Sequence, residues 1–281
     1  MDPGQGEGDG ATDRALILTP GVLATVLLVG CGFSGTPAAR GSPVDTVFAE
    51  DFEAGTLAAW QDGVDPARHR IVLDSNGSQS RDHYLEVTYP AGRDGGWLTR
   101  FLPASHDSLY VSLWIRLPQS WKGDTKLVAL YGSRTDNQWS AFGQAGKCPT
   151  GTDFFAAMLV LNQTVRFYTY YPEMAREPDG LTCWGRFGDG GETSVSAPMT
   201  PDLWHHVAFS VKLNSPGRAD ASQTFWVDGV RRGTWSGFSF RVSEILRLNA
   251  VQLTFSRTLS NEPTNQHLDV DHIVVTSGRG H

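Results

Sequence analysis

From residue 45 onward the chain reads in twos. Tyr110-Val111-Ser112-Leu113-Trp114-Ile115-Arg116-Leu117 sets Val111, Leu113, Ile115 and Leu117 on one face and Ser112, Trp114 and Arg116 on the other. That is the period of a half-buried strand. Pro118 ends it. Val207, Phe209, Val211 and Leu213 alternate with Ala208, Ser210 and Lys212 in the same way, and Val251, Leu253 and Phe255 with Gln252, Thr254 and Ser256. Phe225-Trp226-Val227 runs into Asp228-Gly229, a dipeptide suited to a two-residue hairpin turn. Leu268, Val270 and then Ile273-Val274-Val275 supply the last strands. No stretch after residue 45 sustains a helical period, and Gly, Pro, Asp and Asn separate the short runs. The pattern predicts an all-β sandwich or barrel, and at this length a sandwich of two antiparallel sheets.

The N-terminus has a different texture. Residues 15–30 (ALILTPGVLATVLLVG) carry no charge. The run is short for a membrane-spanning helix, and Pro20 and Gly21 interrupt it. It fits the core of a signal peptide. It ends in Leu28-Val29-Gly30-Cys31, which resembles the bacterial lipobox, with Cys31 as the residue that receives lipid. The segment before it departs from the usual basic pattern, holding Asp2, Glu7, Asp9 and Asp13 against Arg14. Small, polar and Pro-rich residues follow, as in a flexible tether. The expected organisation is a lipoprotein signal peptide over 1–30, a tether over 31–45 and one domain over 46–277. The expected location is the bacterial cell envelope, membrane-anchored through lipid, or the secreted fraction.

Charge and cysteine count narrow the picture further. The net charge is −7, and removal of residues 1–30 leaves 22 Lys and Arg against 26 Asp and Glu, about −4. No Lys/Arg block appears, which argues against a nucleic-acid partner. With Cys31 lipidated, Cys148 and Cys183 are left, and two cysteines in an oxidising compartment pair. No His or Cys stands at zinc-ligand spacing near either. Aromatic residues make up 11% of the chain, which suits strands and also surfaces that stack on sugar rings. A monomer is expected.

Phe48-Ala49-Glu50-Asp51-Phe52-Glu53-Ala54-Gly55 and Leu268-Asp269-Val270-Asp271-His272-Ile273-Val274-Val275 have the character of the first and last strands that pair in concanavalin A-like jelly rolls. Four further segments resemble polysaccharide lyase family 14, a domain of that fold. They are Lys126-Leu127-Val128-Ala129-Leu130-Tyr131-Gly132, Tyr168-Thr169-Tyr170-Tyr171-Pro172, Leu203-Trp204-His205-His206-Val207 with its continuation to Gly217, and Phe225-Trp226-Val227-Asp228-Gly229. The first two carry more of the resemblance to the family; the last two recur across the fold.

The resemblance implies a concanavalin A-like jelly-roll sandwich that cleaves a uronate-containing, acidic polysaccharide by β-elimination. Such chemistry neutralises the substrate carboxylate, takes the proton at C5 and protonates the leaving oxygen at C4. It further implies Lys126, Tyr168 and Tyr170 for these roles, with the cation lowering the phenol pKa. One position departs: a gapless count back from Tyr168 puts Ala156 where the family carries an Arg, so that Arg166 or Arg134 would have to substitute. Strand parity sets Arg166, Tyr168 and Tyr170 on one face. The expected groove floor holds these residues with Trp114 and Arg116, and with Thr254 and Ser256. A lectin-like module that binds glycan without cleaving it stays open as the alternative, and a structural envelope lipoprotein as a third reading.

Asp51 and Glu53 near one end, and Asp269 and Asp271 near the other, form a candidate oxygen-ligand set for a structural Ca²⁺. No Glu-x-Asp-x-x-Glu pattern supports glycoside hydrolysis. His205 and His206, adjacent on a strand, point to opposite faces and are not expected to share a metal. No Gly-x-Ser-x-Gly elbow, phosphate loop or dinucleotide fingerprint is present.

Overall fold

The computed structural model of the protein describes residues 44–74, 77–162, 164–185, 197, 199–257 and 262–278. The predicted signal peptide, Cys31 and the tether up to residue 43 lie outside them. Among the described residues there is no helix. The described residues form thirteen strands in two antiparallel sheets. They are β1 (Thr46–Glu50), β2 (His69–Leu73), β3 (His83–Tyr89), β4 (Trp97–His106), β5 (Ser108–Arg116), β6 (Thr125–Arg134), β7 (Phe154–Asn162), β8 (Thr164–Tyr170), β9 (Trp204–Lys212), β10 (Ala221–Val227), β11 (Val230–Phe238), β12 (Leu246–Thr254) and β13 (Gln266–Thr276).

The larger sheet has eight strands, in the order β11-β10-β9-β5-β13-β3-β2 with β1 on β13; the smaller has five, in the order β4-β12-β6-β7-β8. The first and last strands pair, with Ala49 opposite Val274 and Glu50 opposite Ile273. The C-terminal segment is one strand carrying a register irregularity between Asp271 and Val274, where His272 sits at φ 46°. At the β10–β11 hairpin both Asp228 (φ 52°) and Gly229 (φ 74°) are left-handed, as the two-residue turn requires.

The alternation read from the sequence is what fills the space between the sheets. Leu109, Val111, Leu113 and Ile115 of β5 and Val207, Phe209 and Val211 of β9 are fully buried. They face Leu127, Val128 and Leu130 of β6 and Phe155, Ala157 and Leu159 of β7, also fully buried, across one contiguous apolar layer. Phe167 of β8 ties the layer together, its ring meeting Phe209 at 5.7 Å and Phe225 at 5.6 Å, both edge-on. The outer face of the five-stranded sheet carries the groove described next.

Candidate functional site

Cross-strand register lays the outer face of the smaller sheet out in rows. One row runs Thr99, Gln252, Ala129, Met158, Tyr168; the next runs Phe101, Ala250, Tyr131, Ala156, Tyr170. Lys126 joins this face through a bulge. Its partner on β7 is Val160, while Val128 pairs with Leu159, so Leu127 is the extra residue. Leu127 and Val128 both turn into the core. Without the bulge, Lys126 and Ala129 would point to opposite faces.

Lys126, Tyr168 and Tyr170 are brought together. The Lys126 Nζ stands 5.0 Å from the centroid of the Tyr168 ring. The hydroxyls of Tyr168 and Tyr170 are 3.5 Å apart. Lys126 and Tyr170 line a cavity of about 500 Å³ with Tyr131, Ala156, Met158, Gln252, Thr254 and Ser256. On its far side the cavity is bounded by Trp97, Trp139 and Phe142. Thr254 and Ser256 therefore sit where parity put them.

The two tyrosines are covered from above, Tyr168 at 8% exposure and Tyr170 at 5%. The predicted Cys148–Cys183 disulfide holds the cover, and beside it Gly146 and Cys183 form a β-bridge. The Gly146 N–H is 3.5 Å from the Tyr170 hydroxyl. Gly185 lies on Tyr168 so closely that a β-carbon there would collide with the ring.

Burial sets the protonation chemistry. It pushes the Tyr168 phenol well above its ordinary value, helped by the Tyr170 hydroxyl, against smaller opposing effects from the Gly185 backbone and the Arg166 charge. It pushes the Lys126 ammonium below its ordinary value, against the attraction of Asp124 and Asp94. This reverses the expected arrangement, in which the cation lowers the phenol. Withdrawal from water outweighs the neighbouring charges, and both groups are driven toward their neutral forms.

Other expected residues stand elsewhere. Trp114 and Arg116 belong to β5 in the larger sheet and face outward from it, not into the groove. Trp114 packs on His206 at 5.1 Å. Arg116 donates to Asp269 at 2.8 Å and stacks on Tyr84 and Trp204. Strand parity distinguishes the faces of a strand but not the sheet it joins. Arg134 ends β6 paired with Asp136 at 2.6 Å and does not line the cavity. Arg166 shares the outer face of β8 with Tyr168, one row from it, opposite Val160.

The four carboxylates considered for calcium do not form a cage. Asp269 is turned to Arg116, and Asp51 accepts the Glu53 N–H. Glu53 Oε1 accepts Ser80 Oγ and the N–H groups of Arg81, Asp82 and His83. Asp271 accepts Ser78 Oγ and the N–H groups of Gln79, Ser80 and His272. Oxygens filled by N–H and O–H donors fit a tied-down loop and do not fit a calcium ion. Among the described residues, Glu86, His267 and Asp269 bring ligand-type atoms within 4.8 Å of one another, but Arg70 and Arg116 pair with the two acids. His205 is bonded to Asp228, and His206 faces Trp114 on the opposite side.

Sequence reasoning missed Trp97, Trp139 and Phe142. They sit at a strand start or in a loop, where no periodic signal marks them.

No family model matches the chain, and no curated protein matches it. Solved structures do. A variant of an alginate lyase in complex with alginate trisaccharide superposes with a TM-score of 0.61 at 13% identity, over 83% of this chain and 99% of that one. The marine PL-14 alginate lyase from Aplysia kurodai gives a TM-score of 0.61 at 12% identity, over 82% and 98%. The endo-β-1,4-glucuronan lyase from the fungus Trichoderma reesei gives 0.55 at 14%, over 82% and 95%. At these identities the likeness establishes the shared jelly-roll fold.

Proposed function

We propose that the protein is a polysaccharide lyase that cleaves a 4-linked uronate by β-elimination, with Lys126 as base and Tyr168 as acid. The observation that carries this reading is a half-buried lysine that lines an open groove with Tyr170 and stands against the buried Tyr168 ring, whose hydroxyl meets that of Tyr170. In the elimination, neutral Lys126 takes the C5 proton. The electron pair forms the C4–C5 double bond, the C4–O bond breaks, and Tyr168 gives its proton to the leaving oxygen. Lys126 becomes an ammonium as charge builds on the substrate carboxylate, so the cation arises where the transition state needs it. One proton then returns from Lys126 to Tyr168 through water. This division of labour needs no arginine at position 156, where the chain has alanine.

The solved lyases of the same fold support the reading. We place the protein outside the cytoplasm, anchored through Cys31, in keeping with its disulfide. Incubation with alginate, polyglucuronate and mixed uronate polymers, read by ultraviolet absorbance of the unsaturated product, tests the activity. Absorbance should rise with wild type and not with Tyr168→Phe. Retention on glycan with no product would favour a binding module, the reading to which the exposed tryptophans of the groove would then belong.

A further inference from the structure

The groove is lopsided in a way that bears on its substrate. Its acid–base wall is formed by β6 and β8. The opposite wall is aromatic, and two of its rings are open to solvent: Trp97 at 47% and Trp139 at 48%. Two open indoles lining one groove present flat apolar faces on which a sugar ring can lie.

Both are held in place. Trp97 Nε1 donates to Asp62 at 2.8 Å. Gly63, at φ 85°, lets the chain cross directly over the Trp97 side chain, where a β-carbon would collide with it. Trp139 stands edge-on against Phe101 at 4.7 Å and Phe142 at 5.5 Å. Phe142 in turn packs on Tyr131 at 4.7 Å. These contacts fix the rings before any ligand arrives, which lowers the ordering cost of binding.

Charge points the same way. Among the described residues lining the groove, Lys126 is the one cation, and Asp62 and Asp94 are carboxylates. A homopolyuronate bears a carboxylate on every sugar. Seated across this groove it would set one of them at Lys126 and the others against indole faces and two acids of like charge. A chain with a single uronate between neutral sugars meets no such conflict. Neutral pyranoses offer the apolar faces that flat rings cover.

We propose, on the basis of the lyase reading, that the preferred substrate is a heteropolymer in which one uronate is flanked by neutral sugars, and that Trp97 and Trp139 bind those neutral residues. They are specificity-determining residues, not catalytic ones.

The test compares polyglucuronate with deacylated gellan, whose backbone repeat holds one 4-linked glucuronate among neutral sugars. The kcat/KM should be about tenfold or more higher on the gellan. Trp97→Ala and Trp139→Ala should each raise KM on gellan about tenfold with kcat little changed, while Trp97→Phe and Trp139→Phe, which keep a ring, should stay near wild type. Equal or better cleavage of polyglucuronate, or gellan cleavage indifferent to both alanine variants, overturns the substrate assignment and leaves the lyase reading intact. Absence of product from every polymer overturns the lyase reading. Affinity electrophoresis in gels cast with each polymer then decides the assignment: tryptophan-dependent retardation stronger in gellan upholds it, and any other pattern overturns it. Thermal melts of each variant identify losses due to misfolding.

Discussion

Gly185→Ala gives a direct measure of how far the disulfide-held loop governs the tyrosines. The added β-carbon would press on Tyr168 Cδ1, 2.5 Å from Tyr168 Cε1 and 3.0 Å from Tyr170 Cε2. Carbon atoms in contact rest about 3.5 Å apart, so one side must yield by about 1 Å. Gly185 is not among the left-handed residues, so alanine carries no backbone penalty and the whole effect comes from the contact. Two outcomes are open to the molecule, and they read differently. If the loop lifts, Tyr168 keeps its place but gains water, and the melting temperature falls with an overpacking cost of about 1–3 kcal/mol. If the ring turns instead, the phenol leaves its position beside Lys126, and a displacement of about 1 Å at a reacting group lowers kcat about 10²-fold. The assay is a thermal melt alongside kcat and KM on the best polymer substrate. A variant with wild-type melting temperature and wild-type kcat would refute the reasoning, because the loop would then not rest on Tyr168 at all.

Three further outcomes follow from the same geometry. Lys126→Arg keeps the charge but cannot deprotonate; kcat should fall at least about 10²-fold with polymer retention preserved, and unchanged kcat would make Lys126 a mere cation. In the wild type, kcat/KM should rise with pH to a plateau reached below the ordinary lysine value of 10.5, with no fall before pH 10 because Tyr168 is pushed upward; a bell centred near neutrality would contradict the role assignment. Glu53 loses ground to burial but gains more from Ser80 and the His83 and Asp82 N–H groups, which bring its pKa to about 2. A carboxylate held below its ordinary value contributes stability that is present above about pH 4.5 and is lost as pH falls toward 2. Glu53→Gln should therefore cost about 2 kcal/mol in urea melts at pH 7, a gap that closes by pH 2; a gap independent of pH would dismiss the carboxylate as the cause.

Alternation alone exposed the strands that build the core, since β5, β9 and β12 each repeat with period two over most of their length. The pairing of Cys148 with Cys183 was legible because so few cysteines were available. The site was harder to read. Tyr168 and Tyr170 share a face at spacing two, but the bulge at Leu127 shifts the parity of Lys126, and such an insertion leaves no mark in composition. Trp114 and Arg116 obey parity and still lie outside the groove, because the sheet a strand joins is decided by non-local pairing, here of β5 with β9 and β13. Asp51, Glu53 and Asp271 have the residue type of metal ligands, but folding brings N–H groups from a distant loop onto Glu53 and Asp271, which residue type does not reveal.

The Cys148–Cys183 bond makes residues 148–183 a covalent ring, and β7 and β8 lie inside it. The stretch between Pro172 and Thr182 offers a protease an open segment, since it includes Leu181, the most open large apolar side chain among the described residues. A single cut there would open the ring without releasing a fragment. The strand carrying Tyr168 and Tyr170 would stay threaded in its sheet, with the severed cover still tethered to Cys148. Nicked protein should therefore migrate as one species until reduced, and retain its groove.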